Sequence, residues 1–385
     1  MRQKGKKESF KISSLIEEFE NEMLYDEDAS KLSGSVYTPP YITDFMVKRA
    51  INYFLEDLMG DSIILKKEHS PSKNLENNPN LENKIKNKLP SFKILDPACG
   101  TGRFLISACK ELVKLYKILY PHLKGWDIRR NIVREHIYGV EVEKKAYLLT
   151  KLRLLNWVNP RFQNKLRNTE KKSKIKSISE LEKIINDESE NFNIFHCDYL
   201  FSFEKESNFN LIIGNPPYIE NKKIGDPEYK KALYKSFNTA YKLFDLSILF
   251  IERSLGLLKI NEGYLSFLMP NKFLAADYGI KLRKLIHYET DLEELINLSS
   301  CSVFSEKAIY PIIITLSNQK KKENKFSLLK FSEYPFSEEN LKPIKVEQSV
   351  LKKLPSFVIP ITERIKSIGD IYANIKPISS VFNNI

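Results

Sequence analysis

Asn215-Pro216-Pro217-Tyr218 directly follows an apolar run, Phe209–Gly214, that reads as a short buried strand. Two adjacent prolines fix φ and remove two N–H donors, so nearby carbonyls are left to accept hydrogen bonds from elsewhere. A polar amide, a rigid turn and an aromatic ring at one strand end can hold a planar nitrogen. The exocyclic amine of a base is a poor nucleophile because its lone pair is delocalised into the ring. If the Asn215 side-chain carbonyl and the Pro216 backbone carbonyl accept its two N–H bonds, the nitrogen is drawn toward tetrahedral geometry. Its lone pair is then freed for attack, a step that runs on positioning and electrostatics. Tyr218 can stack on the base, a contact worth ~1–3 kcal/mol. By itself the motif also fits a rigid turn with a capping Asn, so the rest of the site decides.

Three acids stand at other strand ends. Phe92–Leu95 reads as a strand leading into Asp96-Pro97-Ala98-Cys99-Gly100-Thr101-Gly102, Ile137–Val140 leads into Glu141, and Asn193–Cys197 leads into Asp198. Leu105 occupies the place of the third glycine of a dinucleotide fingerprint, which disfavours a pyrophosphate loop. Gly100 and Gly102 still let a backbone approach a ligand closely and expose N–H groups at a helix start. Asp96 could pair with an ammonium group, Glu141 could accept from two ribose hydroxyls, and Asp198 could accept from an adenine amine. A nucleoside with an amino-acid arm and no phosphate fits this set, which describes S-adenosylmethionine. Helix capping explains any one such acid, but explains three at successive strand ends poorly.

Strands alternating with helices must position these residues. Helical periods run over 10–31, from Thr43 as N-cap through Leu58, along Phe104–Leu119, through about 127–135, along Ala146–Leu155, over 243–259 and over Asp277–Glu289. Further strands read at Gly263–Pro270, Leu295–Leu298, Ile309–Leu316 and Phe326–Phe331. The pattern predicts an α/β fold, a doubly wound, mostly parallel, Rossmann-like sheet with helices on both faces and a short C-terminal appendage. In such sheets ligands sit at the carboxyl ends of strands, where Asp96, Glu141, Asp198 and Asn215 all fall. The expected division is an N-terminal helical segment (1–35), a cofactor-binding catalytic domain (36–320) and a C-terminal remnant or start of a recognition region (321–385). Asn-, Lys- and Glu-rich stretches at about 66–90 and 161–191 read as flexible insertions.

Of 385 residues, 61 are Lys or Arg against 49 Asp or Glu, a net charge of +12 that favours a polyanionic partner. Lys222, Lys223, Lys230, Lys231, Lys235 and Lys242 alternate with Tyr229, Tyr234, Phe237 and Tyr241. That stretch fits a nucleic-acid groove and fits equally an amphipathic helix with its aromatics turned inward. Cys99, Cys109, Cys197 and Cys301 form no C-x-x-C pair, which speaks against a disulfide framework or zinc ribbon and for a reducing cytoplasm. His196 and Cys197 have no second pair at ligand spacing and read as packing residues, so no metal is expected. No run approaches a membrane span of ~18 apolar residues.

Val36-Tyr37-Thr38-Pro39-Pro40, Asp96–Gly102, Gly139-Val140-Glu141, Cys197-Asp198 and Asn215–Tyr218 occur in this order. Over roughly 30–320 the chain resembles adenine-specific DNA methyltransferases with the gamma order of motifs, as in type II and IIG restriction–modification systems. The resemblance implies transfer of a methyl group to the N6 amine of a flipped adenine in duplex DNA, with Asn215, Pro216, Pro217 and Tyr218 catalytic. It implies cofactor contacts from Tyr37, Thr38, Pro39, Asp96, Ala98, Cys99, Gly100, Gly102, Glu141, Asp198 and Asn215. Phe304 resembles the family's base-stacking aromatic beside Tyr218. Asp245 resembles a supporting position, although a helix start accounts for it as well. Methyltransferases of protein glutamine or RNA share the amide-and-proline motif, and a catalytically incomplete DNA-binding subunit is a further reading. Such enzymes usually continue into a large recognition domain, whereas only about 65 residues follow Lys320 here. A separate recognition or restriction subunit is the corresponding expectation.

Overall fold

The computed structural model describes residues 12–25, 38–59, 66–160 without 68 and 77–80, and 192–368 without 206–207, 302, 304–309, 334–335, 337–342, 363 and 366, together with Phe162, Ser179, Glu182, Lys183 and Ile185. Tyr37 and Phe304 lie outside the described residues, as does most of the expected insertion at 161–191.

Helix α1 (Ile12–Tyr25) precedes α2 (Pro40–Met59). α2 does not begin at Thr43 as expected but three residues earlier, because Pro40 at the first helical position needs no N–H partner and arrives with helical φ. Thr43 Oγ1 donates back to the Pro40 carbonyl at 2.9 Å. Two short helices follow, α3 (Pro71–Glu76) and α4 (Leu81–Lys88). They overturn the reading of 66–90 as a loose insertion: Leu75, Ile85 and Leu89 are buried. A polar network holds the same segment from within the core. Asn52 donates to the carbonyls of Lys67 (3.1 Å) and His69 (2.9 Å), and Asn74 donates to Asn52 Oδ1 (3.0 Å).

Strands and helices then alternate: β1 (Ile94–Asp96), α5 (Arg103–Leu119), α6 (Gly125–Asn131) continued by one π turn, β2 (Ile137–Glu141), α7 (Lys144–Val158), β3 (Asn193–His196) and β4 (Leu211–Gly214). After β4 come α8 (Pro227–Ser236), α9 (Leu246–Leu255), β5 (Tyr264–Pro270), α10 (Ile280–Glu289), β6 (Asp291–Asn297), β7 (Pro311–Ser317), β8 (Lys325–Lys330) and β9 (Ile344–Glu347). All nine strands join one sheet in the order β3-β2-β1-β4-β5-β7-β6-β8-β9. β3 through β5 are parallel neighbours, β7 runs antiparallel to β5 and β6, and β9 antiparallel to β8.

Successive strand residues face opposite layers. Ile94, Leu211 and Ile213 pack into the core shared with α2, α5 and α7, whereas Leu95 and Ile212 pack into the core shared with α9 and α10. Both faces are covered, so the strands read as unbroken apolar runs. The expected boundary at residue 320 falls inside this sheet, since β8 pairs with β6 (Leu328 beside Leu295) and Val346 of β9 is buried. The residues after 320 are thus no appendage up to β9. A buried bidentate pair, Arg49 on α2 with Glu294 on β6 (2.9 Å from Nε), fixes α2 across the sheet. Among the described residues no helix is long and apolar enough to cross a membrane.

The strand order reverses about β1: β2 and β3 lie on one side and β4 and β5 on the other. A doubly wound sheet takes its ligand at such a switch point, here the carboxyl ends of β1 and β4.

Candidate active site

The loop leaving β1 is held from below and open above. Cys99 N donates to the Val140 carbonyl on β2 at 2.9 Å, and Thr150 Oγ1 on α7 donates to the Gly100 carbonyl at 2.7 Å. Gly100 and Gly102 both have left-handed φ, 53° and 83°, which glycine adopts without strain. A Cβ on Gly102 would press on the Thr150 side chain at 3.1 Å, but a Cβ on Gly100 would meet nothing within 4 Å among the described residues. Space for a ligand therefore begins at Gly100. From α1, the buried Glu20 accepts from Arg103 (2.8 Å), Arg153 and the Thr101 hydroxyl, bracing this loop from 80 residues away in sequence. No spacing rule could have shown that contact.

The three strand-end acids are not equivalent. Asp96 is 1% exposed; Oδ1 accepts from Ala98 N at 3.2 Å, and Oδ2 has no hydrogen-bond partner among the described residues. Burial pushes its carboxyl well above the usual range, the Ala98 N–H opposes this, and the Glu141 charge adds to it. An orphaned buried carboxylate oxygen is costly unless a donor reaches it. Glu141 is committed on both oxygens, accepting from Gly100 N (2.7 Å) and Glu143 N (2.9 Å), so it braces the glycine loop as well as ending β2. Asp198 accepts from Leu200 N (2.7 Å) and Phe201 N (3.3 Å) on Oδ1 and from the Tyr229 hydroxyl (2.8 Å) on Oδ2. Capping therefore accounts for part of what Glu141 and Asp198 do, and for little of Asp96.

Asn215 stands next to Asp96 because Gly214 has no side chain. A Cβ on Gly214 would come within 2.5 Å of Asp96 Oδ1. The Asn215 amide is gripped at both ends: Nδ2 donates to Thr38 Oγ1 at 3.0 Å, and Oδ1 accepts from the Tyr218 hydroxyl. That hydroxyl also lies 3.1 Å from the Leu268 carbonyl of β5, and burial raises its pKa well above the ordinary phenol value. Sequence reasoning gave Tyr218 a stacking face; the structure adds an orienting hydroxyl. Thr38 is buried, and the Pro39 carbonyl is taken by Ile42 N (3.0 Å) and Thr43 N (3.2 Å) at the start of α2.

Beyond Tyr218 the chain pairs back on the start of α9, with Leu246 N donating to the Ile219 carbonyl and Asn221 N to Phe244, both at 2.8 Å. Asp245 caps α9 through Ser247 N (3.0 Å), which is the helix-start role. The basic and aromatic stretch shows the amphipathic arrangement in part: Leu233 and Phe237 are buried and Tyr229 turns onto Asp198, whereas Tyr234 is exposed and Lys222, Lys223, Lys231, Lys235 and Lys242 face solvent. His196 is not a packing residue of the core; it is exposed and stacks on Tyr147 with ring centroids 5.4 Å apart. Among the described residues no group of three His, Cys, Asp or Glu side chains could hold a metal ion. Val142, directly after Glu141, is 69% exposed and Phe201 36%. Such apolar surface beside two acids suits the flat face of a purine, and neither residue showed in the hydrophobic pattern because both lie just past strand ends.

Residues 135–304 match the Eco57I restriction-modification methylase family. The type II restriction enzyme and methyltransferase RM.Eco57I of Escherichia coli is 29% identical over 282 residues, covering 63% of this chain and 26% of the relative. The type II methyltransferase M.BstVI of Geobacillus stearothermophilus is 29% identical over 294 residues, covering 75% and 43%. The chain thus spans less than half the length of these relatives. In fold it is similar to the type IIL restriction-modification enzyme MmeI, whose structure was solved with DNA, at a TM-score of 0.53 and 17% identity over 84% of this chain and 41% of MmeI. The segment that matches the Eco57I restriction-modification methylases begins just before β2 and ends after β6, and so holds Glu141, Asp198 and Asn215–Tyr218 together.

Proposed function

We propose that this chain is an S-adenosylmethionine-dependent DNA methyltransferase of a restriction–modification system, acting on the N6 amine of adenine in duplex DNA. The observation that carries the reading is the Asn215 amide, held between Thr38 and Tyr218 and preceded by Gly214, which lies against the Asp96 carboxylate whose other oxygen, Oδ2, has no partner among the described residues. Asp96 Oδ2 would take the cofactor's ammonium group, Gly100 and its neighbours Ala98 and Cys99 would border the amino-acid arm, and Glu141 and Asp198 would face ribose and adenine. The cofactor, when bound, supplies a sulfonium methyl as the electrophile. Asn215 Oδ1 and the Pro216 carbonyl accept the two N–H bonds of the target amine and so localise its lone pair. Tyr218 and Thr38 keep Asn215 from rotating, and that preorganisation is what the site contributes to the barrier. Extrusion of the base costs a few kcal/mol, which stacking on aromatic side chains partly offsets. The exposed lysines of α8 and of the turn after Tyr218 would meet phosphates flanking the extruded nucleotide. The likeness to the Eco57I family and to M.BstVI supports the class of reaction; adenine N6 rests on the Asn-Pro-Pro-Tyr geometry.

The test is incubation of the chain with tritiated cofactor and genomic DNA of mixed sequence, followed by digestion to nucleosides. Label is expected in N6-methyl-2′-deoxyadenosine with the wild type and absent with Asn215→Ala, whose affinity for S-adenosylhomocysteine stays near that of the wild type. Binding of S-adenosylhomocysteine without label at adenine would overturn the reading.

A further inference from the structure

Tyr229 has no part in the motifs, yet its hydroxyl donates to Asp198 Oδ2 at 2.8 Å from a helix that begins more than ten residues after Asn215. An ionised carboxylate offers about four acceptor positions. Leu200 N and Phe201 N occupy Oδ1, and Tyr229 occupies one position on Oδ2. One acceptor position is left, and it belongs to the oxygen that Tyr229 steers. The Tyr229 ring is itself held edge-on against Phe201, centroids 5.4 Å apart at 78°, and Phe201 packs in turn near Phe237 at 6.0 Å. The hydroxyl is therefore delivered by a packed aromatic group, and the helix it stands on is fixed at its start by Asp226, which caps Glu228 N at 2.9 Å.

We infer that Tyr229 is a positioning residue for the purine of the cofactor: it fixes the Asp198 carboxylate so that a single, oriented acceptor faces the purine edge. The inference rests on the cofactor reading above and deepens it. A lone acceptor at that edge selects a 6-amino purine, which presents a donor, over a 6-oxo purine, which presents an acceptor. Sites that use one fixed polar partner discriminate in this way because the wrong ligand leaves a desolvated group unpaired. Removal of the Tyr229 hydroxyl lets the carboxylate swing and opens a second acceptor position, so selection weakens along with affinity.

The experiment is calorimetric titration of the full chain with S-adenosylhomocysteine and with its 6-oxo counterpart, S-inosylhomocysteine, using wild type, Y229F, D198N and the double variant. Y229F is expected to weaken the adenosyl compound by roughly 3- to 10-fold, the size of one ordinary net hydrogen bond since the effect reaches the ligand only through Asp198, and to lower the adenosyl-to-inosyl preference by a similar factor. In the D198N background the same substitution is expected to change neither compound by more than about twofold, because two groups acting through one bond are not additive. A purely structural Tyr229 would weaken both compounds alike, or act equally in both backgrounds, and either result overturns the assignment, as does an unchanged Y229F. A wild type that binds neither compound overturns the cofactor reading itself, which separates the two failures.

Discussion

The grip on Asn215 makes the sharpest quantitative demand. Its amide is engaged at both ends, Nδ2 donating to Thr38 Oγ1 (3.0 Å) and Oδ1 accepting from the Tyr218 hydroxyl. Thr38→Val and Tyr218→Phe each remove a single oxygen and keep the side-chain shape. A buried hydrogen bond of this kind contributes about 0.5–1.5 kcal/mol net, so each single variant should lose about 2- to 13-fold in kcat if the bond acts in the transition state. With both anchors gone the amide can turn about its terminal torsion and present Nδ2, a donor, to the donors of the target amine. That mismatch adds about 1–3 kcal/mol, and the double variant should therefore fall below the product of the two singles. The assay is transfer of tritiated methyl to genomic DNA at saturating cofactor, with the dissociation constant of S-adenosylhomocysteine measured in parallel. The resemblance to known enzymes assigns Thr38 to the cofactor, whereas its observed partner is Asn215, and the two roles separate in these readouts. Falling kcat with a dissociation constant within about twofold of wild type is expected. Weakened cofactor binding at unchanged kcat, or strictly multiplicative losses in the double variant, would refute the anchoring argument.

Two other outcomes follow from burial. Asp96 is held protonated well above the usual carboxylate range by desolvation, and an ammonium group favours its ionised form, so ligand binding should release a proton. Affinity for S-adenosylhomocysteine should accordingly rise with pH until the free carboxyl ionises, with proton release visible as a buffer-dependent enthalpy; a pH-independent affinity in wild type, or a slope that persists in Asp96→Asn, would count against it. In α4, Ile85 is fully buried, so Ile85→Ala should lower unfolding stability by about 2–5 kcal/mol in urea denaturation, whereas a loose surface insertion would tolerate it within about 0.5 kcal/mol.

The sheet was legible because its central strands are covered on both faces and end in residues with no packing reason to be there. Ile94-Leu95-Asp96 and Leu211–Gly214 before Asn215 show this plainly: apolar residues stop abruptly at a polar one. The segment 66–90 was misread for the opposite reason. Its anchors are few, Leu75, Ile85 and Leu89, and the rest of its attachment is polar, with Asn74 donating to Asn52 and Asn52 donating to backbone carbonyls of the segment. Hydrophobic period cannot register a segment held by buried amides. β9 escaped notice because it is four residues long at a sheet edge with one buried side chain, Val346, so only its pairing with β8 identifies it as a strand.

The candidate site divides in the same way. Residues whose type is forced by local chemistry were found from the sequence: Asp96 at a strand end, Gly100 and Gly102 in left-handed turns, Asn215 before two prolines. The holding roles of Glu20, Thr38, the Tyr218 hydroxyl and Tyr229 were not, because each reaches its partner through the fold rather than along the chain. Gly214 shows why the two kinds belong to one device. A methyl group there would fall 2.5 Å from Asp96 Oδ1, so the strand that presents Asn215 can come alongside the strand that presents Asp96 only while position 214 lacks a side chain. On the function proposed above, the cofactor half and the amine half of the site would thus be set at one fixed spacing by the close approach of Gly214 to Asp96. A transfer reaction that relies on alignment, with no metal or covalent intermediate to guide it, requires that fixed spacing above any single hydrogen bond.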